Sequence, residues 1–598
     1  MMDPEFGTGM RSHLCGAVNK DFVGKEVSLC GWVNKRRDHG KLIFIDLRDF
    51  SGIVQLVLDP ALHRKAHESG KDIRNEFVIK AVGKVRKRDK EAVNPAIPTG
   101  EIEVAVSSLQ MLASSKTPPF MLEHRERVDE NNRLKYRYID LRTEQMQKNL
   151  RLRHKITAVT REYFHKNGFV EVETPILAKS TPEGARDFLV PSRINPGKFY
   201  ALPQSPQLFK QILMFSGFDR IYQIARCFRD EDLRADRQLE FTQIDLEMTF
   251  VEADDIIRII EGLFKDIFRE VLDEHLATPF PRMTWRQSME DYGSDKPDLR
   301  YGLEIRDISR VFAKSGLKIF RKVLDAGGFI KCLVVEDSSA VSRKDLDDLV
   351  DRARESGAGG LAWIRVDSDL QFQSPIAKFL SSEEIKDLCS TLNIKPGDLI
   401  LIVADRFRTA CEVLGDIRVH LSGKLGLIKE KGFRFAWIYD FPLFEWDEEE
   451  KRLTSIHHPF TSPRPEEIEM LEKDPLKVRS RAYDIVLNGN EIGGGSIRIN
   501  DVRLQNRIFE LLNMEKKTIE ENFGFLIEAL SYGVPPHGGI ALGMDRLAML
   551  LGGCSSIREV IAFPKTQSGL DLMTGSPSKV SQRQLDEVFL RVIEPEEE

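Results

Sequence analysis

The sequence has no apolar run of the roughly eighteen residues that a membrane-spanning helix needs, and no secretory signal at its start. These absences exclude a helical membrane protein and set the expectation of a cytosolic chain. Its seven cysteines, Cys15, Cys30, Cys227, Cys332, Cys389, Cys411 and Cys554, are scattered, with no CxxC pair and no histidine spacing to match. That excludes the usual structural zinc sites and leaves reduced thiols that are not metal ligands. A net charge of −6 gives no global electrostatic case for nucleic acid, so any such binding has to come from local basic patches.

What is present is a long chain of ordinary globular composition: 598 residues, 41% hydrophobic and 30% charged. A single core stops growing well below this length, so several domains are expected. The first nine residues, MMDPEFGTG, read as an added leader with Met10 as the native start. From Met10 to about Ala113, strand patterns (VSLCGWVN, LIFIDLRD, GIVQLVLD, NEFVIKAVGKVRKR, GEIEVAVSSLQML) are interrupted by one short polar helix after the third. Five strands with that helix between the third and fourth predict an OB-fold β-barrel, a frequent binder of single-stranded nucleic acid. Alternation in the second strand buries Ile43, Ile45 and Leu47 and turns Phe44 outward, where an aromatic suits base stacking. The basic loop Lys35-Arg36-Arg37-Asp38-His39-Gly40 just before it can hold phosphates.

The stretch Ile221–Phe250 predicts two strands joined by a charged loop, Asp230 to Gln238. Alternation in the second strand puts Ile244, Leu246 and Met248 on one face and Phe241, Gln243, Asp245 and Glu247 on the other. Arg229 closes the first strand, placed to grip a phosphate with two parallel hydrogen bonds. An isolated hairpin of this kind is merely amphipathic; its partners lie later in the chain. Asn488-Gly489 is a strong two-residue hairpin turn, which sets Leu487 opposite Asn490, Val486 opposite Glu491 and Asp484 opposite Gly493. Asp484 and Glu491 then become diagonal neighbours on one face, a pair that Mg²⁺ bridging nucleotide phosphates would relieve. The glycines 493–495 clear room for a ligand. Simple alternation sends Arg498 to the opposite face, so its inclusion in the same site requires a bulge within the glycine run. Near the end, Gly538 to Leu551 reads as a strand turning into a helix, with Arg546 in the first turn where anions are favoured.

Together these segments resemble the class II aminoacyl-tRNA synthetases, most closely the bacterial-type aspartyl-tRNA synthetases. Gly168 to Pro175 resembles motif 1, a dimer-interface element. Phe228-Arg229-Asp230-Glu231 with Gln243-Ile244-Asp245 resembles motif 2, and Gly543 to Arg546 resembles motif 3. The resemblance implies a multidomain α+β chain: an OB-fold anticodon-binding domain (10–113), a hinge (114–143), an antiparallel-sheet catalytic domain in two parts (144–301 and 429–567), an inserted α+β domain (302–428) and a C-terminal extension (568–598).

The resemblance also implies roles. Arg229, Glu231 and Arg546 would be catalytic, and Arg229, Glu231, Phe241, Gln243, Glu491 and Arg546 would bind ATP, with adenine on Phe241. Asp484 and Glu491 would hold Mg²⁺. Lys210 and Arg498 would clamp the L-aspartate side chain, joined at the amino-acid end by Gln207, Asp245, Glu183, His457 and His458. Arg37, His39, Phe44, Gln55 and Glu103 would read the anticodon. The partners implied are tRNA(Asp), a second copy of the chain through motif 1, and no membrane. His39 resembles the loop of relatives that also charge tRNA(Asn), where single-tRNA enzymes often carry Leu. Two alternatives stand at this point: an asparaginyl enzyme of the same subclass, and a non-catalytic RNA-binding paralogue.

Overall fold

In the computed structural model, which describes residues 7–181, 185–429 and 432–593, strict alternation shapes the N-terminal part. Strands β1 (Glu26–His39), β2 (Leu42–Asp49), β3 (Gly52–Leu58), β4 (Val78–Lys87) and β5 (Ile102–Ala113) close into a barrel in the order β1-β2-β3-β5-β4. The inward residues of β2, Ile43, Ile45 and Leu47, join Val27, Leu29, Val54 and Leu56 in one core. The helix Arg64–Gly70 lies between β3 and β4, as the OB-fold expectation has it.

The described residues form two compact units, one running up to Arg151 and including Ile561–Ser578, the other running from Leu152 to Val560 and including the residues from Lys579 onward. In the first, the stretch expected as a hinge carries two short helices, Glu130–Lys135 and Arg137–Asp140. Arg125 and Arg137 converge there on the buried Asp140 (2.6 and 2.5 Å), and Arg137 also donates to the carbonyls of Ile561 and Ala562.

The second unit is built on an eight-stranded sheet. Its order is Arg282–Thr284, Phe435–Tyr439, Ala482–Leu487, Asn490–Ile497, His537–Gly543, Glu240–Thr249, Arg220–Phe228, Val170–Glu171. The six inner strands are antiparallel, and each short edge strand pairs in parallel. The helix Glu144–Lys166 stops at Gly168, whose left-handed backbone (φ +76°) suits a residue without Cβ. The strand that follows is shorter than FVEVETPIL suggests, only Val170–Glu171, and lies at the sheet edge, where a nearby proline is tolerated.

Between Tyr301 and Leu427 the chain builds a second, five-stranded antiparallel sheet ordered Arg306–Asp307, Phe329–Val335, Leu399–Asp405, Ala362–Val366, Phe372–Gln373. Its middle strand is apolar without alternation because both faces are covered. Leu399, Leu401 and Val403 meet the helix Phe407–Lys424, while Ile400 and Ile402 meet Phe312, Phe320 and Leu388. Among the described residues no helix is long and apolar enough to cross a membrane.

Candidate active site

The hairpin at Asn488-Gly489 departs from simple alternation in one place, and that departure assembles the site. Leu487 pairs with Asn490 and Val486 with Glu491, but Ile485 then pairs with Gly493 and Asp484 with Gly494. The extra residue is Ile492, whose side chain is buried. The bulge the sequence required is therefore real, though it precedes the glycine run, and the expected Asp484–Gly493 pairing is corrected to Asp484–Gly494. The shift by one reverses the facing of everything beyond it. Gly494, Ser496 and Arg498 now share a face with Asp484 and Glu491. Of the three glycines, Gly494 faces the carboxylate pair, and a Cβ there would lie 2.6 Å from Asp484 Oδ1. Gly493 and Gly495 instead permit close strand contact, since a Cβ would meet Leu542 Cδ2 at 2.5 Å and the Gly539 carbonyl at 2.2 Å.

A cavity of about 420 Å³ opens on this face, lined by Gln207, Lys210, Arg229, Gln243, Asp245, His457, His458, Asp484, Glu491 and Arg498. Its floor is a buried charge cluster centred on Glu247. Arg498 forks onto Glu247 (Nε–Oε1 2.9 Å, Nη2–Oε2 3.2 Å), and Lys210 pairs with Asp245 and with Glu247 (3.2 Å to the latter). Burial pushes the Glu247 carboxyl up, but Arg498 and Lys210 outweigh it and hold its pKa at about 2. Asp245 goes the other way, because burial outweighs the pull of Lys210. Arg498 also donates to Ser496 Oγ (2.7 Å) and His458 Nε2 (2.8 Å), so four of its five N–H groups are committed and one is left. Two of the three Lys210 donors are engaged in its ion pairs. Three buried polar atoms of the lining residues have no protein partner: Gln207 Nε2, a donor, Asp245 Oδ2, an acceptor, and His457 Nδ1. The cavity thus offers spare donors beside a spare acceptor, a match for a zwitterion.

The neighbouring histidines differ in charge. His458 accepts from Arg498, and burial, then the Arg498 charge, pushes its pKa well below the usual value, so it is neutral. His457 Nε2 lies 3.1 Å from Asp484 Oδ1; burial lowers its pKa, but Asp484 outweighs burial and raises it. For Glu491, burial and the Asp484 charge both raise the pKa, the signature of two carboxylates sharing too little positive charge. Asp484 and Glu491 are the pair that the sequence singled out for a cation; among the described residues no group of three or more His, Cys, Asp or Glu side chains is gathered to hold a metal.

A second cavity of about 280 Å³ shares Arg229, Gln243 and Glu491 with the first and adds Phe241, Glu231 and Arg546. The Arg229 guanidinium lies 5.1 Å from the Phe241 ring centroid and makes no hydrogen bond to a described residue, which leaves its donors available. Arg546, in the first turn of the helix Met544–Leu551, donates to the Glu491 carbonyl and to Asp236 (3.1 Å). Its neighbour Asp545 accepts from the Thr242 backbone N–H (2.8 Å) and from Arg153, tying the helix Glu144–Lys166 and the strand Glu240–Thr249 to this helix. The loop 230–238 is folded back by Ala235, whose carbonyl accepts from Ser556 Oγ and the Ile557 N–H, and Glu231 pairs with Arg237. Glu183 lies outside the described residues.

On the barrel, a polar row crosses the outer face. Lys35 sits opposite Asp46, Asp46 opposite Gln55, and Glu103 opposite Arg86, with Gln55 and Glu103 each one residue before the paired Leu56 and Val104. Arg37 binds Asp46 (2.7 Å), Arg86 binds Glu103 (2.7 Å), and His39 meets the Phe44 ring edge-on at 5.7 Å. The five barrel residues singled out from sequence thus share one surface.

Sequence reasoning passed over three participants. Glu247 was placed on the working face without a role. Arg88, with a buried Nη2 that has no partner, belongs to the barrel row through Glu103 and Asp46. Asp295 lines the main cavity, and its pKa is raised by burial, with Asp484 adding to the rise. No short-range pattern marks these positions; only long-range pairing reveals them.

Residues 129–567 match the family model for class II tRNA synthetases (D, K and N), and residues 27–112 match the OB-fold nucleic acid binding domain. The aspartate–tRNA(Asp/Asn) ligase of Caldanaerobacter subterraneus subsp. tengcongensis is 53% identical over 99% of this chain and 100% of its own length. The protein of the same name from Geotalea uraniireducens is 53% identical over 98% of this chain and 99% of its own. Among solved structures, an asparaginyl-tRNA synthetase from Pyrococcus horikoshii complexed with asparaginyl-adenylate superposes with a TM-score of 0.58 at 21% identity, covering 92% of this chain and 98% of that one, a likeness of fold.

Proposed function

This chain belongs to the class II tRNA synthetases (D, K and N), and on that premise we propose that it is a cytoplasmic aspartate–tRNA ligase that charges both tRNA(Asp) and tRNA(Asn). The observation that carries the amino-acid assignment is the pair of buried cations, Lys210 and Arg498, each retaining a donor toward the cavity beside the unpartnered Asp245 Oδ2 and Gln207 Nε2. A carboxylate side chain satisfies the two cations, and the substrate ammonium satisfies Asp245. Asparagine would present an amide where charge is needed, a penalty on the order of several kcal/mol.

The chemistry needs no nucleophile from the protein. The aspartate α-carboxylate attacks the α-phosphorus of ATP, pyrophosphate leaves, and Arg229 compensates the charge that develops. Phe241 stacks on adenine, Gln243 and Glu231 contact the nucleotide, and Arg546 holds the far phosphate. His457 and His458 complete the wall at the amino-acid end. In the second step the 3′-OH of the terminal adenosine of tRNA attacks the aspartyl carbonyl. Mg²⁺ fits Asp484 and Glu491, because these two crowded carboxylates already resist sharing negative charge. Bound there, it would supply positive charge to the nucleotide phosphates.

Arg37, His39, Phe44, Gln55 and Glu103 read the anticodon, and the chain pairs with a second copy through the motif 1 edge, where Val170, Ile176 and Leu177 are exposed. Light scattering should return twice the chain mass. In ATP–pyrophosphate exchange, aspartate should support the reaction and asparagine should not; Arg498→Leu should lower kcat/KM for aspartate at least about a hundredfold, the worth of one charge-assisted contact. Exchange driven by asparagine, or near-normal exchange in the variant, would overturn the assignment. Aminoacylation of purified tRNA(Asp) and tRNA(Asn) decides the tRNA range.

A further inference from the structure

The inserted sheet is joined to the catalytic sheet by two connectors, and both end on the same small target. The outgoing connector runs from Gly293 to Leu303. Asp298, fixed by a two-pronged pair with Arg300 (2.9 and 2.6 Å), packs against Gly489: a Cβ on that glycine would lie 3.2 Å from Asp298 Cβ. The returning connector reaches Asn488. Arg434 N–H donates to Asn488 Oδ1 (2.8 Å), Asn488 N–H donates to the Arg434 carbonyl (3.1 Å), and Asn488 Nδ2 donates to the Gly432 carbonyl (3.0 Å). Asn488-Gly489 is the turn of the hairpin that carries Asp484 and Glu491. Both connectors therefore grip the tip of the strand pair that presents the two carboxylates.

The outgoing connector is in turn held by the inserted segment's helix Phe407–Lys424. Gly415 on that helix touches Gly293 backbone to backbone: a Cβ on Gly415 would lie 2.4 Å from the Gly293 carbonyl oxygen, and one on Gly293 would lie 2.2 Å from that of Cys411. Three residues further along the helix, on the same side, Arg418 is almost wholly buried between the rings of Tyr292 (5.0 Å) and Tyr301 (4.1 Å). It donates to the carbonyls of Asp298 (2.8 Å), Tyr301 (3.1 Å), Gly302 (3.2 Å) and Leu303 (3.1 Å) and to the Tyr301 hydroxyl (3.2 Å). No carboxylate pairs with it among the described residues. A buried guanidinium satisfied by four backbone carbonyls and a phenol, with no carboxylate, is costly as a stabilising device, yet well suited to fixing a chain path. The path it fixes also carries Asp295 to the cavity rim, beside Asp484 and Glu491.

We propose that the inserted segment is a positioning element for the nucleotide end of the active site, with Arg418 and Gly415 holding the 293–303 connector, which in turn holds the Asp484/Glu491 hairpin. The inference rests on the function proposed above for its kinetic readout alone. Lys210, Gln207 and Asp245 stand on other elements, the helix Gln207–Phe215 and the strand Glu240–Thr249. Arg498, at the end of the hairpin's second strand away from the Asn488-Gly489 turn, is fixed there by Glu247 and by its N–H bond to the His537 carbonyl (2.9 Å), so aspartate binding depends least on this line of support.

The test compares wild-type full-length enzyme with Arg418→Met, which keeps the length of the side chain but none of its donors, and with Arg418→Lys, which keeps charge and some donors. In pyrophosphate exchange, Arg418→Met should raise KM for ATP about tenfold while KM for aspartate stays within about twofold. Hydrogen–deuterium exchange of the amides 484–492 should speed up about tenfold, with Arg418→Lys intermediate in both readouts. If Arg418→Met does not fold, Arg418→Lys carries the same two measurements. Unchanged KM for ATP with unchanged protection of 484–492, whatever the loss of melting temperature, would overturn the proposal. Failure of wild-type enzyme to use aspartate would instead sink the functional assignment, and the hydrogen-exchange arm would still decide this one.

Discussion

Glu247 holds both cations of the cavity at once, and neither the strand it sits on nor its immediate neighbours announce this. Alternation put it on the working face, but its partners arrive from a helix and a bulged strand far away in sequence. Removing its charge strands Arg498 in a buried setting and leaves Lys210 with Asp245 alone, and breaking such a pair costs about 3–5 kcal/mol. Glu247→Gln should therefore lower the urea-unfolding free energy by about that amount. The pH dependence has a definite sign. Its folded pKa of about 2 lies below the ordinary value of 4.5, so the stability it contributes is complete above pH 4.5 and is lost as the pH falls from there through 2. Denaturation midpoints followed from pH 6 to pH 3 should decline more steeply in the wild type than in Glu247→Gln. An equal slope would remove Glu247 from the acid response.

At the scale of elements, the hairpin shows what a sequence can and cannot disclose. The turn at Asn488-Gly489 was legible from its residue types, as were the first two cross-strand pairs. The need for a bulge was legible too, from the wrong facing of Arg498, but the glycine run was the wrong place for it: the extra residue is Ile492. Ile492 bulges before the glycine run because its side chain is buried, whereas Gly494 has to face Asp484 without a Cβ. Inserting one glycine after Gly493, with Ile492 kept, should shift the alternation beyond the bulge by one and turn Arg498 away from the cavity. The variant is expected to lose at least about a hundredfold in aspartate-dependent exchange, a loss of ~3 kcal/mol, although Asp484, Glu491 and Arg498 are all still present. Retained exchange would show that the bulge does not aim the arginine.

At the scale of the molecule, the barrel was the most legible part, since alternation and one helix in the right gap define an OB-fold without long-range information. Its reading surface was half legible. Arg37, His39 and Phe44 stand out in a basic loop and an outward aromatic, whereas Arg88, just past the end of β4, joins them only through the charges of Glu103 and Asp46. On the proposed anticodon-reading role, His39, in edge contact with Phe44, would influence which anticodon is accepted. His39→Leu should lower kcat/KM for tRNA(Asn) about tenfold more than for tRNA(Asp), a difference of ~1.4 kcal/mol. Equal effects on the two tRNAs would relieve His39 of a discriminating role.

The order of strands in the catalytic sheet also bears on how the protein is made. Glu240–Thr249 has its second neighbour in His537–Gly543, so one edge of the growing sheet stays unpaired while roughly 290 further residues are synthesised, about 15–60 s at ribosomal speeds. The inserted sheet, whose strands all fall within that interval, can fold on the ribosome first. Until the last strand emerges, nascent chains expose a half-built edge to one another, which makes this enzyme a natural client of chaperones during its own translation.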